Sequence, residues 1–264
     1  MSSVALCQKE FIKALNSFHR WGKLAAWHDF IMLSSSSLLL ITGQDDTAQK
    51  RICEINDKYD DREISTMKKM MILMGDAYEA STDHDFFGEI MMKEHLGNDG
   101  AKQIFTPYSI CKLMAALNDD FEEQLKIQNY ISFFDPCCGS GLLLVAAANR
   151  LKEKGIPYQS TVWFVAQDVD YMAAMVCYIQ LSILGCPGYI AWGNSLTHPA
   201  IGPLLNPIRS DSPEIFYTIQ SFVEPWPIRK QLELAKILTE YEQKSPDPPD
   251  TDTNHIDDDD ACSA

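Results

Sequence analysis

Asp135-Pro136-Cys137-Cys138-Gly139-Ser140-Gly141 is the stretch on which the fold turns. Before it, Tyr130-Ile131-Ser132-Phe133-Phe134 is short, aromatic and bounded by polar residues, the pattern of a buried strand. After it, Gly141 to Lys154 reads as a helix, apolar all round in its first turns and ended by Gly155. Glycine in the connecting turn lets a ligand lie against the backbone, which a side chain would block. The helix start offers unpaired amides and a positive dipole end, suited to a carboxylate or hydroxyls. Asp135 can hold an ammonium group or an ordered water.

Downstream, Thr161 to Ala166 reads as a second strand, Tyr171 to Leu184 as a second helix and Tyr189 to Trp192 as a third strand. Strands alternating with helices over short connections predict a right-handed parallel α/β sheet with ligands at its carboxyl ends. Asp168 ends the second strand, where a carboxylate can accept both hydroxyls of a ribose. Asn194 follows the third, where an amide can read an adenine edge. A nicotinamide dinucleotide would want G-x-G-x-x-G and a ribose acid about 20 residues further on. Here only G-x-G is present, and Asp168 lies 27 residues after Gly141. Both mismatches favour S-adenosylmethionine (SAM).

Past Gly193 the pattern thins, with Ile215 to Val223 as one more strand and Ile228 to Gln243 as a charged amphipathic helix. Trp226 is a candidate to pack on the sheet. Upstream, from Val4 to Asn118, apolar residues return at helical spacing. Phe11, Leu15, Phe18 and Trp21 with Ala25 form one stripe, and Met67, Met70, Met71 and Met74 form another. Serines 34–37 fall within or between helices. The chain thus divides into a helical region over 1–100, an α/β domain over 101–244 and an acidic tail over 245–264, expected to be disordered.

With 264 residues, 46% of them apolar, the chain can bury a substantial core. Leu38-Leu39-Leu40-Ile41 is its most apolar run, short of the ~18 residues a membrane span requires, so no membrane association is expected. No basic segment leads into an apolar one after Met1-Ser2-Ser3, and no secretory signal is expected. Eight cysteines without a CxxC pair point to reduced thiols in a cytoplasmic protein, without a disulfide framework or zinc site. The six histidines show no metal spacing. Net charge is −15, of which seven charges are the aspartates of the tail, leaving −8 on the remainder. That is a poor composition for gripping phosphates, which draw on clustered Lys and Arg.

Asp135 to Gly141 resembles the DPxCGSG motif of adenine-N6 DNA methylases, especially the modification subunits of type I restriction–modification systems. Gln103-Ile104-Phe105-Thr106-Pro107 resembles their GQFFTP element, Ala166-Gln167-Asp168 their GQE, and Gly193-Asn194-Ser195-Leu196 their G-[DN]-[ST]-L. Four elements in family order span roughly residues 85–196. The resemblance implies a SAM-dependent methyltransferase, Rossmann-like sheet preceded by a helical region. It implies that Phe105 and Thr106 close over the methionine end of SAM and that Asp135, Cys138, Gly139 and Gly141 form its cradle. It further implies that Asp168 holds the ribose, Asn194 meets the adenine, and the family activity is methyl transfer to adenine in DNA.

One element of the family is missing. Its [DNS]PP[YFW] motif orients the target amino group through a polar side chain and a proline carbonyl, and stacks a ring on the flipped base. Asn206-Pro207-Ile208 is the nearest approach, with one proline and no ring; Asp247-Pro248-Pro249-Asp250 lies in the tail. The sheet also looks incomplete, and no target-recognition domain follows. Three readings stay open: a methylase acting alone or completed by a second polypeptide that supplies DNA recognition; a non-catalytic SAM binder, such as a mobile-element product or a remnant of a larger enzyme; and a protein-interaction module with a vestigial pocket. Simpler roles compete at each position too. Asp135 could cap the following helix, Thr106-Pro107 could be a plain helix start, Asp168 could cap the second helix, and Cys138 could be a small buried residue.

Overall fold

The apolar stripes of the N-terminal part fold into α1 (Val4–Leu15), α2 (Lys23–Thr42), α3 (Ala48–Lys58), α4 (Asp61–Ala80) and α5 (Phe86–Glu94). The computed structural model describes residues 3–96, 106–117, 120–208 and 214–244. Phe11, Leu15 and Phe18 are buried as their spacing predicts, but α1 stops at Leu15. Gly22, at φ 78°, sets a turn before α2, so Trp21 and Ala25 lie outside that first helix. Met67, Met70 and Met74 point into the core from α4. A capping box starts α4: the Glu63 amide donates to Asp60 at 2.8 Å, and the Asp60 amide donates to Glu63 at 3.1 Å. Serines 34–37 lie inside α2, where the Ser34 and Ser37 hydroxyls donate to carbonyls four residues back at 2.8 and 2.7 Å.

By length and composition alone one helix among the described residues, the 20-residue α2, is apolar enough to cross a membrane, although Lys23, His28, Asp29 and four serines interrupt its apolar run. Apolar residues spread around its circumference made it hard to recognise from one short run. Its Ala26, Trp27, Phe30, Ile31 and Leu39 are buried in the protein core. A helix apolar on most faces is what an interior position requires.

Two further helices, α6 (Tyr108–Leu117) and α7 (Phe121–Ile127), lead into β1 (Ile131–Asp135). Then follow α8 (Leu142–Glu153), the single turn α9 (Tyr158–Thr161), β2 (Val162–Asp168), α10 (Tyr171–Ile183) and β3 (Gly188–Trp192). The bounds of β1, α8, β2, α10 and β3 lie within one or two residues of their expected places, whereas α7 and α9 were not expected and Thr161 closes α9 where a strand start was expected. The strands β1, β2 and β3 are parallel, with Phe133 beside Phe164 and Phe164 beside Gly188. Residues 162–167 of β2 are buried without a break, as in a strand covered on both faces.

Beyond β3 the sheet gains a strand whose direction the alternation of strands and helices does not set. β4 (Glu214–Tyr217) pairs antiparallel to β3, with Ile190 opposite Phe216. A parallel return needs a crossover, usually a helix, and the described part of the 193–213 connection contains none. The strand expected to run to Val223 ends at Tyr217. The buried Thr218 hydroxyl donates to the Cys186 carbonyl at 2.6 Å, and a 3-10 turn, Ile219–Phe222, follows. The last helix among the described residues is α11 (Trp226–Lys244).

The order β1-β2-β3-β4 leaves β1 at an edge. One face of the sheet carries Phe164, Ala166, Ile190 and Phe216, in a core continuous with α8, α10 and the N-terminal helices. The other carries Trp163, Val165, Tyr189 and Tyr217 under Leu205 and Trp226. Trp226 does pack on the sheet, 4.9 Å from the Trp163 ring, and its N–H donates to the Gln159 carbonyl at 2.7 Å.

Candidate functional site

The turn from β1 to α8 is held from below by β2. The Cys138 amide donates to the Gln167 carbonyl at 3.0 Å, and the Gly141 amide donates to the Cys138 carbonyl at 2.7 Å. Gln180, fully buried in the mostly apolar α10, donates to the Ser140 carbonyl at 2.6 Å. Its own amide oxygen accepts the Tyr78 hydroxyl of α4. The N-terminal helices therefore reach the glycine turn through two buried polar side chains. Sequence reasoning missed both residues; a lone glutamine inside an apolar helix was the available signal.

Above this turn lies a cavity of about 220 Å³. It is lined by Asp135, Cys137, Cys138, Gly139 and Ser140 of the turn, by Leu142 and Leu143 of α8, and by Thr106, Cys111 and Met114. Of the expected residues, Thr106, Asp135, Cys138 and Gly139 therefore share one cavity. Phe105 lies outside the described residues.

The two glycines have different jobs. Gly139, at φ 53°, has nothing within 4 Å of where a Cβ would stand, so its backbone faces open space. Gly141, at φ 86°, backs onto α10, where a Cβ would come within 2.5 Å of the Cys177 sulfur. It is a packing glycine and does not line the cavity.

Two features of the cavity suit a zwitterion. The first-turn amides of α8, which have no partner inside the helix, receive no side-chain cap. Asp135 does not cap α8 either; it accepts the Cys137 amide at 3.1 Å. Burial raises the Asp135 pKa above its ordinary value, the nearby Asp168 raises it further, and the Cys137 amide opposes both. Among the described residues no cation pairs with this carboxylate. Cys138, hydrogen-bonded to Cys177 and deeply buried, has its thiol pushed well above the ordinary range, which makes it a packing residue and a poor nucleophile.

Asp168 closes one side of the turn. Its Oδ2 accepts the Gly139 amide at 2.7 Å and its Oδ1 accepts the Asp170 amide at 2.9 Å. The cap of α10 is Asp170, which accepts the Ala173 amide at 2.9 Å. Asp168 is thus released from that duty, and each of its oxygens keeps one lone pair for another donor. Pro107 precedes α6 and accepts the Ile110 amide at 2.9 Å, so Thr106-Pro107 starts a helix and also places Thr106 on the cavity wall.

Asn194 is exposed just past β3, where its oxygen accepts the Leu196 and Thr197 amides at 2.9 and 3.2 Å. Buried Gln167 fixes this loop, donating to the Gly193 and His198 carbonyls at 3.2 and 2.8 Å and accepting the Ala200 amide. Asn206 and Pro207 are not brought to the cavity. The Asn206 amide nitrogen donates to the Lys230 carbonyl at 3.0 Å and to Glu233 at 2.9 Å, which uses both its hydrogens to anchor α11.

Residues 71–213 match the sequence profile of the N-6 DNA methylase family. Comparison with curated proteins returns no match. Among solved structures, a protein assigned to the class I S-adenosylmethionine-dependent methyltransferases of Listeria monocytogenes is similar at 16% identity and a TM-score of 0.38, over 75% of this chain and 57% of that one. The methyltransferase subunit of a type I restriction–modification system from Streptococcus thermophilus is similar at 12% identity and a TM-score of 0.39, over 74% of this chain and 59% of that one. The chain spans less than 60% of the length of either structure.

Proposed function

The chain belongs to the N-6 DNA methylase family, and on that premise we propose that it binds SAM at the glycine turn while transferring methyl groups to adenine in DNA weakly or not at all by itself. The observation that carries this reading is the open backbone of Gly139, set between an uncapped helix start and a half-buried carboxylate with no cation beside it among the described residues. A methionine moiety meets both charges there, its carboxylate at the α8 amides and its ammonium at Asp135. The cavity, at about 220 Å³, is below the ~300–1,000 Å³ usual for a whole drug-sized ligand. The methionine end therefore goes inside, and the adenosine lies over the open surface at Asp168, Trp192 and Asn194. Asp168 accepts ribose hydroxyls with its remaining lone pairs, the Asn194 amide group meets the adenine, and Thr106 flanks the methionine end. When bound, SAM supplies an activated methyl group on sulfur.

The acceptor half of the reaction finds little support in this chain. Asn206 has spent its amide hydrogens on α11. No aromatic ring follows Pro207, and the net charge opposes phosphate binding. DNA, with target recognition supplied by a partner protein, is the substrate the family implies. A vestigial pocket in an interaction module is favoured by one observation, that both Asp168 oxygens already accept backbone amides.

A tritiated-methyl assay on adenine-containing DNA tests the proposal, with parallel measurement of bound SAM. The expected result is retained SAM with incorporation near background. Efficient N6 methylation by the chain alone would overturn the inactive reading, and absence of bound SAM would transfer support to the vestigial one.

A further inference from the structure

In a doubly wound sheet the ligand crevice lies where the strand order reverses, so two sets of strands wall it. Here the glycine turn follows β1, and among the described residues β1 is the edge strand, with β2 its one strand partner. Among the described residues the cavity thus has strands on one side of β1 and none on the other. The exposed edge, Ile131-Ser132-Phe133-Phe134-Asp135, carries no Lys, Pro or bulge of the kind that blunts free edges. Phe134 is 59% exposed on it.

The helix beside the cavity is unfinished in the same way. α6 buries Cys111 and Ala115 against α8. Its opposite face presents Ile110, Leu113, Met114 and Leu117, an i, i+3, i+4, i+7 stripe with Leu117 76% exposed. Met114 belongs both to this stripe and to the cavity wall, so the apolar surface is continuous with the site.

We propose that the free edge of β1 and the exposed face of α6 dock a separate polypeptide, which adds a strand beside β1 and closes the open side of the cavity; this rests on reading the glycine turn as the ligand site. The unpaired backbone identifies the occupant as a strand, held by main-chain hydrogen bonds with apolar side chains over the α6 stripe. DNA is a poor fit, because the stripe is apolar and Lys112 is the single cation on α6. The chain's own tail is a poor fit too: residues 245–264 hold seven Asp and three Pro, types depleted in strands, and little apolar surface. A second copy would bring another −15 charges to the contact, so a neutral or basic partner is the complementary one.

The test places a photo-crosslinking phenylalanine analogue at Phe134 in the full chain, in its native cells, identifies the adduct by mass spectrometry, and reconstitutes the complex from the purified partner. The expected result is a discrete adduct with a different polypeptide, about tenfold slower hydrogen exchange at alternate amides of residues 131–135 in the complex, and loss of the adduct in a folded Leu113→Lys/Leu117→Lys variant. Adducts only with a second copy or with the tail, no discrete adduct, or an adduct without protection of β1 would each overturn it. SAM titration of the same preparations separates the two readings: retained SAM binding with no adduct defeats the docking surface alone, and an adduct without SAM binding defeats the ligand site alone.

Discussion

Replacing each glycine of the turn by alanine should have opposite consequences. At Gly141 the new Cβ would stand 2.5 Å from the Cys177 sulfur and 3.2 Å from its Cβ, with the backbone at φ 86°. Left-handed backbone costs a non-glycine residue about 1–2 kcal/mol, and overpacking costs about 1–3 kcal/mol more. The total, about 2–5 kcal/mol, lowers Tm by on the order of 10 °C. At Gly139 there is no neighbour to meet, so Gly139→Ala bears only the backbone strain, again about 1–2 kcal/mol. Its methyl group instead projects where the ligand is proposed to lie, and SAM affinity should fall at least tenfold, about 1.4 kcal/mol. Thermal melts and calorimetry on the two variants measure both quantities. Adding Cys177→Ala to Gly141→Ala should recover most of the overpacking cost, a coupling visible in a double-mutant cycle. Strict additivity would refute the claim that Gly141 exists to accommodate Cys177. Equal SAM losses in two folded variants would refute the division of labour.

Because burial raises the Asp135 pKa, its charged form destabilises the fold, and stability falls as pH rises from the ordinary value of 3.8 through the raised one. Asp135→Asn should therefore raise Tm at pH 7, with the gain vanishing near pH 3.8, while abolishing SAM binding; a lower Tm at pH 7 would contradict this. Asp85 caps α5 by accepting the Gly88 amide at 2.8 Å, and burial raises its pKa to about 6. Wild-type stability should accordingly decline between pH 3.8 and about 6 through this residue, and urea denaturation of Asp85→Asn should show that decline removed. Tyr78→Phe leaves the buried Gln180 oxygen without its donor, and chemical denaturation should register a loss of about 1–3 kcal/mol.

The fold was legible where one period dominates. The apolar runs of β1, β2 and β3 and the all-apolar faces of α8 and α10 are local signals, and each element appears close to its expected bounds. The glycine turn was legible because its residue types answer to backbone geometry. What escaped depends on distant partners. Whether β4 runs parallel or antiparallel is set by what fills the connection after β3, which carries no periodic signal. The role of Gly141 is set by Cys177, and that of Asn206 by Glu233 and Lys230 on a helix more than twenty residues away in sequence. The helical pattern over Phe11 to Ala25 was true of its residues and blind to the turn at Gly22, since an apolar stripe persists across a break when both pieces face one core.

Titration calorimetry with SAM on the wild-type chain and on Asp135→Ala bears most directly on the central claim, that a glycine turn beside the half-buried Asp135 carboxylate receives this ligand. Saturable heat in the wild type, absent from a variant that still melts cooperatively, is the predicted outcome. No heat at millimolar SAM, or equal affinity in both proteins, would contradict it.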